Sequence, residues 1–199
     1  MIQTHTEDAR HLRQILVDMA ASGQGETGDA ASFLQRFLPL KSHARILESD
    51  CHLIIGHRGA GKTELFRALK TPGGAEAIAS VSSRISSHDI AKISWVVGYT
   101  TEGTDYPPEI LLRNFAKGKS DQDIQILWLA YLAKALHRVE PTAFSELPDA
   151  LFQESELESI YAMTNKDLNK LFAAFDALDQ NLAQSDRKIF VSYDELDRV

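Results

Sequence analysis

The segment Gly56-His57-Arg58-Gly59-Ala60-Gly61-Lys62-Thr63 constrains this chain more than any other, because it packs three glycines just ahead of a lysine and a hydroxyl residue. Glycine tolerates positive φ and close backbone approach, so successive N–H groups of such a loop can converge on one anion. Lys62 adds a point charge, and the Thr63 hydroxyl can ligate a cation. A helix starting near Lys62 would aim the positive end of its dipole at the same spot. Together these meet the needs of a bound triphosphate and its magnesium.

The flanks agree with that reading. His52-Leu53-Ile54-Ile55 is a short apolar run suited to a buried parallel strand. Glu64 to Lys70 has helical spacing, with Leu65, Ala68 and Leu69 on one face, and stops at the breaker Thr71-Pro72-Gly73-Gly74. The plainer alternative, a glycine turn with an incidental lysine, leaves this strand-loop-helix order unexplained. The candidate phosphate-binding set is therefore Gly56, His57, Arg58, Gly59, Ala60, Gly61, Lys62, Thr63 and Glu64.

With 199 residues, the chain has room for one domain or one domain with an elaboration. No apolar run nears the roughly 20 residues that span a bilayer, and the polar start Met1-Ile2-Gln3-Thr4-His5 is no signal peptide. Cys51 is the only cysteine, which excludes an internal disulfide and fits a cytoplasmic setting. Beside the first strand it reads as a small buried filler. The net charge of −7 argues against a general nucleic-acid surface. The cluster Arg58, Lys62, Arg67 and Lys70 is better explained by a nucleotide. The seven histidines show no metal-ligand spacing, so no structural metal is expected.

Along the chain, residues 8 to 21 read as a helix, followed by a glycine-containing loop and a second helical stretch carrying Phe33, Leu34, Phe37 and Leu38. Residues 79 to 91 are Ser-rich and irregular. Ile93 to Tyr99 is β-branched and aromatic, a second strand. Ser120 with Asp123 resembles a capping box, opening a helix that bears Ile124, Leu127, Trp128, Tyr131, Leu132, Leu136 and Val139 on one face. Trp128 and Tyr131 read as core rather than as base-stacking groups. Thr164 with Asp167 resembles another cap, ahead of Leu168, Leu171, Phe172, Phe175, Leu178 and Leu182.

The final segment, Lys188 to Glu195, is an apolar strand ending in two acids. An Asp at the carboxyl end of a parallel strand points into the crevice where α/β proteins hold ligands. Asp194 is placed to hold magnesium through water, and Glu195 to orient and deprotonate an attacking water.

Taken together, the loop and Ile189-Phe190-Val191-Ser192-Tyr193-Asp194-Glu195-Leu196-Asp197-Arg198 resemble P-loop ATPases of the division with a catalytic Glu, in the manner of the AAA+, STAND and KAP branches. The resemblance covers firmly only the two motifs. It implies an α/β parallel sheet with flanking helices and a Mg-dependent ATP hydrolysis that switches conformation in a larger assembly, of the kind found in bacterial defence or signalling. Lys62 and Glu195 would be the catalytic pair, and Thr63 with Asp194 the magnesium ligands.

The gap from Thr63 to Ile189 is about twice what two crossovers of roughly thirty residues each require, so a helical insertion is expected over 107–185. The expected organisation is a helical segment 1–50, a first core part 51–106, that insertion, and a Walker B strand at 186–199. In the family the loop strand and the Walker B strand are separated by a later strand. The expectation is therefore that the protein continues past Val199, or that a second chain completes the sheet. Two other readings stay open: a nucleotide-gated interaction module serving an oligomer or effector, and a helicase-like motor, since Asp194-Glu195-Leu196-Asp197 matches D-E-x-D. Asn165-Lys166-Asp167 lacks the last Asp of a guanine-reading motif, because Leu168 stands there.

Overall fold

The computed structural model describes residues 30–48, 50–51, 53–57, 59–82, 84–100 and 105–194. The expected helix at 8 to 21 and the loop after it lie outside the described residues, as do His52, Arg58 and Glu195. The chain is α/β and mostly helical, and its described residues form one sheet of two parallel strands. Two compact units divide it, residues 1–84 and 85–199.

In the first unit, α1 (Ala30–Arg36) leads to a 3-10 turn at His43–Leu47. Phe33, Phe37 and His43 stack in series, with ring centroids 5.8 and 5.9 Å apart. Next come α2 (Lys62–Lys70) and α3 (Gly74–Ala79). The apolar positions of α2 fall on one side, so Leu65, Phe66, Ala68 and Leu69 are buried together. Its end is enforced by the predicted breaker. Pro72 cannot continue the helix, and Gly74 lets α3 start against it, since a Cβ there would lie 1.8 Å from the Ala68 carbonyl oxygen. Ile78 and Ala79 of α3 then bury against the 3-10 turn, which contributes Ala44 and Leu47.

The strand expected at His52 to Ile55 is absent over its described residues, Leu53 to Ile55. Leu53 to His57 carry no regular structure, and Leu53 and Ile55 are 74% and 85% exposed. An apolar run becomes a strand only where a neighbour pairs with its N–H and C=O groups, and among the described residues the sheet contains no strand from this unit. Cys51 is half-buried rather than buried.

The second unit opens with α4 (Ser87–Ala91), held by a full capping box between Ser86 and Asp89. This interrupts the stretch expected to be irregular, and the Ser-x-x-Asp spacing was its visible signal. β1 (Ile93–Tyr99) follows as expected. The chain then runs through α5 (Glu109–Ala116), α6 (Asp121–His137), a 3-10 turn at Pro141–Phe144, α7 (Asp149–Gln153), α8 (Leu157–Lys166) and α9 (Leu168–Gln184) before returning as β2 (Lys188–Tyr193). β1 and β2 pair in parallel from Ile93 opposite Lys188 to Tyr99 opposite Tyr193, with an irregularity between Val97 and Tyr99.

The Ser120–Asp123 box caps α6 as read from the sequence. Burial there reaches beyond one stripe, to Ile126, Ala130, Ala133 and Ala135, because α6 packs on β1, α8 and the second 3-10 turn at once. Leu127, Tyr131, Phe144, Ile160 and Leu171 belong to the resulting core, and Trp128 packs against it, which is the core role expected for both aromatics. Val139 falls past the end of α6 and is 40% exposed. Thr164 is not a cap: it lies inside α8, buried, and its hydroxyl donates to the Ile160 carbonyl at 2.8 Å. The junction is Asp167 itself, whose carboxylate meets Lys170 at 2.8 Å. Among the described residues, no helix is long and apolar enough to cross a membrane.

Candidate functional site

The glycine loop has the local geometry its composition demands. Gly59 and Gly61 take φ of 81° and 80°, left-handed values that cost an L-residue with a Cβ about 1–2 kcal/mol. Gly61 is the N-cap of α2, and the helix is entered through its carbonyl, which accepts from Leu65 N–H at 2.9 Å. Gly56 has no positive φ, and an added methyl there would make a tight contact, 3.1 Å from Ala60 Cβ. The Ala60 N–H donates to the His57 carbonyl at 3.1 Å and closes the turn.

Lys62 does not extend into solvent. Its ammonium donates to the Gly56 carbonyl at 2.6 Å and to the His57 carbonyl at 3.3 Å, so the side chain arches back over the loop that precedes it. Gly56, His57, Ala60 and Lys62 are thus brought together. Gly59, Ala60, Gly61, Thr63 and Glu64 are exposed, which leaves the rim of the loop and the Thr63 hydroxyl open to a ligand. Glu64 stands in the first turn of α2, where a carboxylate complements the helix dipole.

Arg67 and Lys70 do not belong to this cluster. Both sit in the last turn of α2, with the Arg67 guanidinium 4.6 Å from the Phe33 ring centre and the Lys70 ammonium 5.4 Å from that of Phe66. The sequence placed them near the loop, but helical rise carries them to its far end.

In the second unit, Asp194 directly follows β2, half-buried, and its N–H donates to the Tyr99 carbonyl at 3.1 Å. It therefore stands at the carboxyl end of a parallel strand, as the sequence indicated. Beside it lies an aromatic group that the sequence did not assign to a site. Tyr193 packs edge-on to Trp128 at 6.4 Å, and burial raises its phenol above the ordinary value. Gly98 makes this possible, because a methyl there would come within 2.5 Å of the Tyr193 ring. A lone glycine inside an apolar strand was the available signal. Tyr99 packs edge-on to both Tyr106 and Trp128, and the Tyr106 hydroxyl donates to the Val97 carbonyl.

Among the described residues, no three His, Cys, Asp or Glu side chains group as a metal site. Compared with protein-family models, with curated proteins and with solved structures, the chain matches none. What the site can do rests on its own geometry.

Proposed function

We propose that this chain binds ATP with Mg²⁺ on the loop Gly56 to Glu64 and hydrolyses it, in the manner of the P-loop ATPases that its two motifs resemble. The observation that carries the reading is the Lys62 ammonium folded over a glycine turn that opens a nine-residue helix. A cation already held over a ring of backbone groups suits a phosphate, which would replace two neutral carbonyl acceptors with charged ones.

The donor set fits the group. Glycine at 56, 59 and 61 keeps side chains out of the cradle, and Thr63 offers an exposed hydroxyl. Magnesium favours one or two protein oxygens plus phosphate and water, so a cage of three or more acidic side chains is not required. Bound Mg²⁺ would supply neutralisation of the phosphate oxygens. As the resemblance implies, Lys62 would stabilise charge on the transferred phosphoryl group, Thr63 and Asp194 would serve as metal ligands, and Glu195 would accept the proton of the attacking water.

The test uses one sample of the full chain for both equilibrium binding of ATP and release of phosphate. Lys62→Ala is expected to abolish binding, whereas Glu195→Gln keeps binding and loses turnover. Unchanged affinity in Lys62→Ala would remove the loop assignment. Equal release by wild type and Glu195→Gln would remove the Glu195 assignment.

The exposed side chains of Ile110 and Leu111 on α5 and Phe172 on α9 favour a second reading, a nucleotide-gated module whose helices meet an effector protein or another copy of this chain. Binding without release, with release restored by a second protein, would select it.

A further inference from the structure

The first unit contains a cleft that the glycine loop does not share. The 3-10 turn at His43–Leu47 and the chain leaving α3 border an open cleft of about 360 Å³, with Ala44 and Val81 as the apolar lining. Three cations surround it, Lys41, Arg45 and Arg84, with the single carboxylate of Glu48. Glu48 lies 3.7 Å from Arg45 Nε and 4.0 Å from Arg84 Nη1, beyond the range of a good charge-assisted hydrogen bond. The carboxylate therefore draws both guanidinium groups to one place while leaving their N–H forks available. Ser82 adds a hydroxyl. Its oxygen accepts the Arg84 backbone N–H at 3.2 Å, and its own proton can still be donated.

Charge decides the ligand class. Three cations against one carboxylate leave two positive charges in excess, in a chain whose net charge is −7. A monocarboxylate would leave half of that excess uncompensated, whereas a phosphate monoester carries about −1.5 to −2 at neutral pH. Its planar faces of oxygen also match the arginine fork. The volume is at the small end of ligand clefts, which run from about 300 to 1,000 Å³. We propose that this cleft binds a small phosphomonoester, a compact phosphorylated metabolite rather than a nucleoside triphosphate. No residue lining it belongs to the loop Gly56 to Glu64, so the inference stands apart from the proposed ATPase reading.

The experiment titrates phenyl phosphate, and separately benzoate, into the full Lys62→Ala chain in phosphate-free buffer. Two-dimensional NMR follows the Ser82 amide and the Arg45 and Arg84 Nε–H signals. Working in Lys62→Ala keeps the glycine loop from contributing, and the same Ser82 signal in the unsubstituted chain gives a second reading of the cleft. Saturable shifts by phenyl phosphate are expected, with benzoate about tenfold weaker. Arg45→Ala and Arg84→Ala should each weaken binding about tenfold, and Glu48→Gln should strengthen it a few-fold. Both arginine side chains are mostly exposed, at 69% and 81%, so their truncation leaves the core intact. Shifts that never saturate, equal affinity for benzoate, or unchanged binding after replacing both arginines would each overturn the proposal.

Discussion

Replacing Gly98 with alanine isolates one contact at the carboxyl end of the sheet. The new methyl would lie 2.5 and 2.8 Å from two Tyr193 ring carbons and 2.7 Å from Val191 Cγ1. Carbon atoms prefer about 3.5–4.0 Å, so the ring must swing outward by roughly an ångström or the strands must part. Overpacking of this kind costs about 1–3 kcal/mol. Alanine recovers about 0.5–1 kcal/mol of backbone entropy relative to glycine in a strand, so the net expectation is a loss of about 0.5–2 kcal/mol. The two tryptophans, Trp95 and Trp128, both lie in the second unit, so urea unfolding followed by their fluorescence reports this unit directly. The deciding measurement repeats the substitution in a Tyr193→Ala background. With the ring gone the two shortest ring contacts disappear while that to Val191 stays, and the cost of Gly98→Ala should fall by about 1 kcal/mol, a coupling typical of touching residues. An identical cost in both backgrounds would show that Tyr193 does not occupy the space above Gly98.

Two further outcomes are expected. Gly61→Ala forces a side chain into φ 80°, so it should cost about 1–2 kcal/mol of stability and weaken ATP binding, with the helix content of the chain unchanged by circular dichroism. Asp123 accepts from the Tyr161 hydroxyl and from the Ser120 hydroxyl and N–H, which together hold its carboxyl down from 3.8 to about 2. A lowered folded value means that its stabilisation is complete above about pH 4 and disappears as pH falls through about 2. Asp123→Asn should therefore flatten the acid limb of the stability profile in that window, and an unchanged limb would refute the assignment.

The sequence was most legible where the causes are local. The turn Thr71 to Gly74, the capping box at Ser120 and the glycine loop all follow from residues that touch their own neighbours in the chain. Leu53 to Ile55 failed because a strand is a property of two segments, and hydrophobicity alone cannot supply the second. Thr164 failed for a related reason: its hydroxyl satisfies a carbonyl one turn back within α8, an alternative that the Thr-x-x-Asp spacing does not distinguish from capping. The cations around the small cleft were invisible, because Lys41 and Arg84 converge only after α2 and α3 have folded between them.

The parallel pairing of β1 with β2 also governs when the second unit can finish folding. Ser192 bonds the Val96 carbonyl from 96 positions away, and every residue pair of the sheet is separated by a comparable stretch. Helices α5 to α9 depend on near neighbours and can form early, but β1 has no ladder until β2 has been made. At a synthesis rate of about 5–20 residues per second, that delay is roughly 5 to 20 s. During it, the backbone edge of β1 and the side chains of Trp95 and Val97 lack their β2 counterparts. Docking of β2 is thus a late event in the folding of this unit, and any substitution that loosens its register lengthens the interval in which β1 can pair with the wrong strand.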